Sequence, residues 1–290
     1  MNIEIQIMIF ILLSILLFSF NNVLWKKNLE DTSISFLISY RAFFTSLISL
    51  ILFLTTSDFN NIINSSIIKI TVGSIFGAIG LYCMLFIIKK SSLRWIGIYN
   101  LLGIVFTATY LYFYENIEIK NSILGIILIL LGFTLHLYKN QEPNLKLEMK
   151  QHFYLIVMTL GFGISSILHW KNLEKNVPVL FILSNQELVV FLLFSTINLR
   201  YERTITIINN LKLYFTRIIV MALILFFALL FSFIGLKKTN PLISSVLFLI
   251  GPILTITLGS LFFQEKITFK NLVSIIIISI GAFIIHQNIF

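Results

Sequence analysis

The sequence predicts an all-α membrane protein of ten transmembrane helices, arranged as two inverted-topology five-helix repeats. Three observations carry that expectation. Of 290 residues, 58% are hydrophobic and only 11% charged, and the mean hydropathy is +0.98. A soluble chain of this length needs far more polar surface to face water. The apolar residues gather into ten runs near the length that spans a bilayer core. The polar residues between the runs recur in the second half of the chain in the same order as in the first.

The runs fall at roughly 6–25, 34–56, 68–88, 93–114 and 121–138, then 153–170, 177–199, 215–236, 241–263 and 269–287. Each must satisfy its backbone hydrogen bonds internally if lipid surrounds it, so each is read as a helix. Barrel strands would alternate apolar and polar over about ten residues, whereas these runs are longer and apolar all round. Residues 1–20 lack a basic start and a small-residue cleavage site, so they read as a retained first helix and not a cleaved signal. Two connections are long and polar, at residues 139–151 and 200–212. The first separates the halves, giving repeats at residues 1–140 and 151–290.

The repeat is carried by loop charges as well as by hydropathy. Lys27-Asn28-Leu29-Glu30 matches Lys171-Asn172-Leu173-Glu174, and Lys89-Lys90-Ser91 matches Lys237-Lys238-Thr239. Leu102-Gly103 and Thr107 match Ile250-Gly251 and Thr255. Glu115, Lys120 and Asn121 match Glu265, Lys270 and Asn271, and Gly132 matches Gly281. Five spans per repeat is an odd number, so the second copy enters the membrane from the opposite side. Such repeats suit secondary transporters, whose two halves exchange conformations around one site.

The formal net charge of +9 comes from Lys and Arg at the ends of runs, where they meet headgroups. No cluster resembles a nucleic-acid surface. The lone Cys83 lies within an apolar run, which excludes a disulfide framework and reads as a small buried hydrophobe. No phosphate-binding glycine loop or cofactor motif is present, which argues against an ATP-driven pump. His136, His152 and His286 lie near helix ends without metal-ligand spacing.

These residues resemble the EamA-like branch of the drug/metabolite transporter superfamily. The likeness rests on Ser39-Tyr40-Arg41 in the second span, on Glu115 followed by Gly125 and Gly132, on Glu265 followed by Gly281, and on Gly251-Pro252 in the ninth span. It covers nearly the whole chain. Departures are Gly103-Ile104 where the second repeat has Gly251-Pro252, and Asn185-Gln186-Glu187 opposite Tyr40-Arg41-Ala42. The resemblance implies a secondary transporter moving a small metabolite, amino-acid-like or otherwise amphipathic, by export across the plasma membrane. A proton is the candidate coupling ion, and the protein is expected as monomer or homodimer. A lipid-linked-substrate flippase or a membrane-embedded enzyme of similar architecture is the alternative.

The resemblance also implies cytoplasmic termini. Fourteen Lys and Arg residues would then lie outside and six inside, with Arg41 the remaining one of 21. The positive-inside rule favours the reverse.

Candidate site residues follow from polarity at membrane depth. A charge there costs about 2.5–3.5 kcal/mol to insert, which marks Glu187 and Arg41. Arg41 could hold a solute carboxylate and Glu187 an amine or a coupling proton. Alternatively the two form an ion pair that only fixes packing, or Arg41 snorkels. Tyr40, Asn185 and Gln186 flank them. Asn22 in the first span, with Asn21 beside it, Trp95, Tyr99 and Asn100 in the fourth, and Ser165 and His169 in the sixth, beside Ser166, complete the expected solute-binding set. The competing readings are interhelical hydrogen bonding and an interfacial aromatic belt, the latter applied to Trp25 and Trp170. His169 also reads as a water-exposed interfacial group. Glu115, Glu265, Gly251, Pro252 and Gly77 are structural or gating candidates. Glu115 and Glu265 would bond neighbouring helix N-termini, Pro252 would kink its helix, and Gly73, Gly77 and Gly80 would allow close helix approach.

Overall fold

The computed structural model describes residues 3–56, 64–115, 123–138, 147–201, 204–239, 241, 244, 250–264 and 269–287. Among these residues there are ten extended helices and no strand. They are α1 (Ile3–Asn28), α2 (Ile34–Thr56), α3 (Asn64–Lys90), α4 (Leu93–Tyr114) and α5 (Ile123–Tyr138). Then follow α6 (Met149–Glu174), α7 (Val179–Tyr201), α8 (Thr204–Lys238), α9 (Ile250–Phe263) and α10 (Phe269–Gln287). Seven of them, α1 to α4 and α6 to α8, are long and apolar enough to cross a membrane. The apolar stretches of α5, α9 and α10 are shorter among the described residues.

Local chemistry sets the helix ends that matter for the site. At the start of α6 the Glu148 N–H donates to the Gln151 side chain at 2.9 Å, covering an otherwise orphaned donor. At its end Asn176 takes a left-handed φ of 59°. The Asn176 N–H then reaches Leu173 O at 3.0 Å and the Val177 N–H reaches Asn172 O at 3.2 Å. This is a Schellman closure with asparagine in the residue type's tolerated αL region. It turns the chain sharply from α6 into α7, the two helices that carry His169 and Glu187.

The expected polar connection at residues 200–212 is corrected: α8 begins at Thr204. Hydropathy averaging reads Asn209, Asn210 and Lys212 as a loop. The segment is amphipathic instead. Ile207 is buried, and Leu211 and Tyr214 pack on the main apolar core. An apolar stripe against the core is enough to hold a helix whose other face is polar.

Packing pairs the helices across the two halves. The closest partnerships are α3 with α6, α2 with α7, α5 with α10, and α1 with α8, followed by α1–α9, α4–α6, α2–α8, α3–α7 and α4–α9. Exchanging the first five helices for the second five turns α3–α6 into α8–α1, α1–α9 into α6–α4, and α2–α8 into α7–α3. The remaining three pairs map onto themselves. Side chains obey the same exchange: Asn28 Nδ2 donates to Leu24 O at 2.8 Å, and Asn172 Nδ2 donates to Leu168 O at 2.7 Å.

Small residues let these helices meet, as expected for Gly77 and its neighbours. At the α3–α6 crossing, a Cβ built on Gly161 would lie 2.7 Å from Phe76 O, and one on Gly77 would lie 3.0 Å from Ser165 Oγ. At the α5–α10 crossing, a Cβ on Gly132 would lie 2.9 Å from Ser274 O and one on Gly281 would lie 2.6 Å from Gly125 O. Those neighbours are backbone and cannot rotate away. Gly281→Ala is therefore expected to destabilise the protein by about 1–3 kcal/mol through overpacking. The thermal unfolding midpoint in detergent checks this; an unchanged midpoint contradicts the tight α5–α10 contact.

Candidate functional site

A cavity of about 350 Å³ lies between the halves. Its walls come from α1, α2, α3, α4, α6, α7, α8 and α9, with Ser244. The volume sits at the small end of the range for small-molecule sites, about 300–1,000 Å³.

Arg41 is the centre of its chemistry. The side chain is fully buried, at 0% exposure, and Glu187 opposite it is 2% exposed. Arg41 Nη1 donates to Glu187 Oε2, joining α2 of the first half to α7 of the second. Gln186 Nε2 donates to the other oxygen, Glu187 Oε1, at 3.2 Å. The guanidinium also lies over the Trp25 ring, 5.5 Å from its centroid, within cation–π range. The expected ion pair is thus formed, and it lines a cavity.

The scaffold around the pair is polar, although Asn198 Oδ1 has no partner among the described residues. Ser46 Oγ donates to Ser184 O at 3.1 Å, and Asn198 Nδ2 donates to Ser39 Oγ at 2.6 Å, both bridging α2 and α7. Thr45 Oγ1 donates to Ala222 O of α8 at 3.2 Å. Such interhelical bonds fix helix rotation where lipid supplies no alternative partner.

The cavity side differs. Arg41 Nε and Nη2 and Asn21 Oδ1 are buried without a hydrogen-bond partner among the described residues, and the His169 ring has only the Gln186 side chain within reach. Native proteins pair nearly all such groups. These side chains line the cavity, so a bound solute or water is what would complete them. Arg41 Nε and Nη2, both unpaired among the described residues, form the planar edge that can take a carboxylate by two parallel hydrogen bonds.

Of the expected solute-binding residues, Arg41, Glu187, Gln186, Asn22, Asn100, Ser165 and His169 line the cavity, as do Gly77 and Gly251. Tyr40, Asn185, Trp95 and Tyr99 do not line it. Tyr40 packs on Phe36 of its own helix, with ring centroids 4.9 Å apart. One residue of helix rotation is about 100°, so Tyr40, next to Arg41, and Asn185, two residues before Glu187, stand on other faces. Trp95 and Tyr99 do share a face, but that face meets α6. The Trp95 ring meets the His152 ring edge to face at 6.1 Å, and the Tyr99 hydroxyl contacts His152 Nδ1.

Three interfacial readings are corrected. His169 is 1% exposed and sits in the cavity wall with its ring edge to face on Phe233, centroids 5.4 Å apart. Trp25 is 1% exposed and lies beneath Arg41. Trp170 is buried in the second apolar cluster. Each lies near a helix end in sequence, but neighbouring helices cover it. Trp25 and His169 occupy matching positions in the two halves, since each precedes its half's Lys-Asn-Leu-Glu motif by the same step. Asn21, Ser19, Thr107, Thr159, Ser232 and Thr255 also line the cavity. None was in the expected set. Their polar character at membrane depth was visible, but not the face on which they stand.

Among the described residues Glu115 is bonded to side chains and not to a helix N-terminus. It forms an ion pair with Lys171 and accepts a 3.4 Å contact from the Tyr110 hydroxyl. Both members are partly exposed, so Glu115→Gln is expected to cost less than about 1 kcal/mol. A large drop in unfolding midpoint would contradict this assignment. Glu265 lies outside the described residues, as does the turn before Pro252 where its kink is expected.

The family comparison covers the second half of the chain. The EamA-like transporter family profile matches residues 149–287. No curated protein matches the sequence. A solved structure titled "Crystal structure of protein" is similar over 96% of this chain and 95% of its own, with a TM-score of 0.70 at 12% identity. That similarity shows a shared fold. Residues 149–287, just under half of the chain, are thus similar to the EamA-like transporter family of the drug/metabolite transporter superfamily.

Proposed function

We propose that this chain is a secondary transporter for a small amphipathic solute bearing a carboxylate, amino-acid-like in its charge pattern. The observation that carries the proposal is the unpaired Nε–Nη2 edge of a fully buried Arg41 in a cavity between the halves. The carboxylate docks on that edge without displacing Glu187. Charge balance then constrains the rest of the solute. Arg41 and Glu187 are neutral as a pair, so a bare anion would leave one uncompensated negative charge in a low-dielectric site. An ammonium group on the solute removes it, with Glu187 and Asn21 Oδ1 as its acceptors. A proton on Glu187 would do the same for a purely anionic solute, making Glu187 the coupling residue.

Residues 1–140 and 151–290 act as two inverted five-helix repeats that rock about this cavity and expose it to each side in turn. The exchange-symmetric packing of α1–α5 with α6–α10 supports this reading, as do the matched Asn28 and Asn172 bonds. The plasma membrane is the proposed location and export the proposed direction, both following the family resemblance.

Counterflow in liposomes tests the proposal, using purified protein and a labelled panel of amino acids, sugars and nucleosides. Counterflow of a carboxylate-bearing zwitterion is expected. No movement of any member, together with product formation from a lipid-linked substrate, would replace transport by membrane-embedded catalysis.

A further inference from the structure

Two groups of glycines contrast in what an added Cβ would meet. At Gly132, Gly161 and Gly281 an added Cβ would strike backbone atoms, at 2.9 Å or less. Those glycines exist because helices touch there. Gly103 and Gly251 behave differently. A Cβ on Gly103 would meet Thr159 Cγ2 at 3.7 Å, and one on Gly251 would meet Ile15 Cγ2 at 3.4 Å, both ordinary contacts. Packing therefore does not require glycine at either position, although glycine is less favourable than alanine inside a helix.

Both positions line the cavity, and so do the atoms their side chains would meet, on Thr159 and Ile15. They correspond in the two halves, on α4 and α9, and each is followed four residues later by a cavity-lining threonine, Thr107 and Thr255. Thr107 Oγ1 donates to Gly103 O at 2.8 Å. Ser19 Oγ donates to Gly251 O at 3.4 Å, and Thr255 Oγ1 donates to Ser19 Oγ at the same distance. The two glycine carbonyls are thus occupied by protein hydroxyls. What the glycines leave open is volume, in the same cavity that Arg41 and Asn21 line with unpartnered atoms.

We propose that Gly103 and Gly251, one from each half of the chain, set the upper size limit of the transported solute by leaving room for its apolar part. This rests on the transport reading above. Side chains grown from these positions enter the cavity without disturbing the helix contacts, so solutes are excluded in order of size.

The test uses Gly103→Leu and Gly251→Leu, with Gly103→Ala as the mild variant, and two independent readouts. In the first, the lone Cys83 is replaced by Ala and a single cysteine is placed at Asn22, which lines the cavity. Its alkylation is timed with methanethiosulfonate reagents carrying either an ethylammonium or a benzophenone group. The leucine variants are expected to slow the large reagent by about tenfold or more and to leave the small one nearly unchanged. The second readout is counterflow of glycine, alanine, leucine and phenylalanine, in which the largest transported member is expected to shift towards alanine. Gly103→Ala is expected to unfold at or above the parent midpoint. A midpoint lowered as much as by Gly281→Ala overturns the premise that Gly103 is not a packing residue. Counterflow by the parent without any change in labelling or size order in the leucine variants overturns the size limit alone. A labelling shift with no counterflow by the parent overturns the transport reading and leaves the size limit of the cavity standing.

Discussion

Arg41→Met is expected to lower stability by about 3–5 kcal/mol, because it leaves the Glu187 carboxylate buried with no cation. Glu187 is 2% exposed and retains only the Gln186 amide as a hydrogen-bond donor. One amide does not offset the cost of burying a carboxylate. The double variant Arg41→Met/Glu187→Met removes both charges and fills similar volume. Replacing a whole buried ion pair by apolar residues is often neutral or stabilising, so the double variant is expected to recover most of the loss in thermal unfolding. It is not expected to transport. That combination separates two roles that a single substitution confounds. A double variant that is stable and silent means the charges serve the solute. A double variant that moves the solute at the parent rate means the pair only organises α2 against α7, and the carboxylate-docking proposal falls.

The fold was largely legible because lipid leaves few alternatives. A segment that cannot bond to water must be helical, and the apolar runs therefore give the order of the helices and the approximate ends of α1 to α7 and α10. The misread segment was 204–214, where the helix leaves the apolar regime. There hydropathy averages an amphipathic pattern into a polar one, and only the burial of Ile207 and the packing of Leu211 reveal its inner face. The site was legible where the physics is costly. Arg41 and Glu187 stood out because isolated charges at membrane depth are expensive, and the structure joins them. Tyr40, Asn185, Trp95 and Tyr99 failed for a different reason. Sequence position gives depth along a helix but not rotation about it, and each of these is at a suitable depth on another face. The same ambiguity hid Asn21 and Thr159. For Trp25, and for the alternative reading of His169, a position near a helix end does not imply the lipid interface. Helix ends in this fold are partly roofed by their neighbours, so both rings stand in the cavity wall. The internal repeat could have corrected this, since it puts Trp25 and His169 at one position in two halves, where a common environment is the simpler expectation.

Arg41→Lys is expected to raise the KM for carboxylate-bearing solutes by about 10- to 100-fold while leaving the protein folded. Lysine keeps the positive charge beside Glu187, so the buried pair survives and the penalty of Arg41→Met is avoided. What it loses is the fork. Lysine presents a compact ammonium with no planar edge, and it cannot hold Glu187 through one nitrogen and a solute carboxylate through two others at once. Hydrogen bonds to charged groups are worth about 1.5–3 kcal/mol, and each 1.4 kcal/mol is a factor of ten in affinity. The check is a pair of measurements on the same liposomes. KM is determined for the transported zwitterion and for its carboxamide analogue, in which the carboxylate is replaced. The carboxamide should bind the parent weakly and respond little to Arg41→Lys, because it never used the fork. An equal loss for both solutes would place the carboxylate elsewhere in the cavity, with His169 in its wall the next candidate partner.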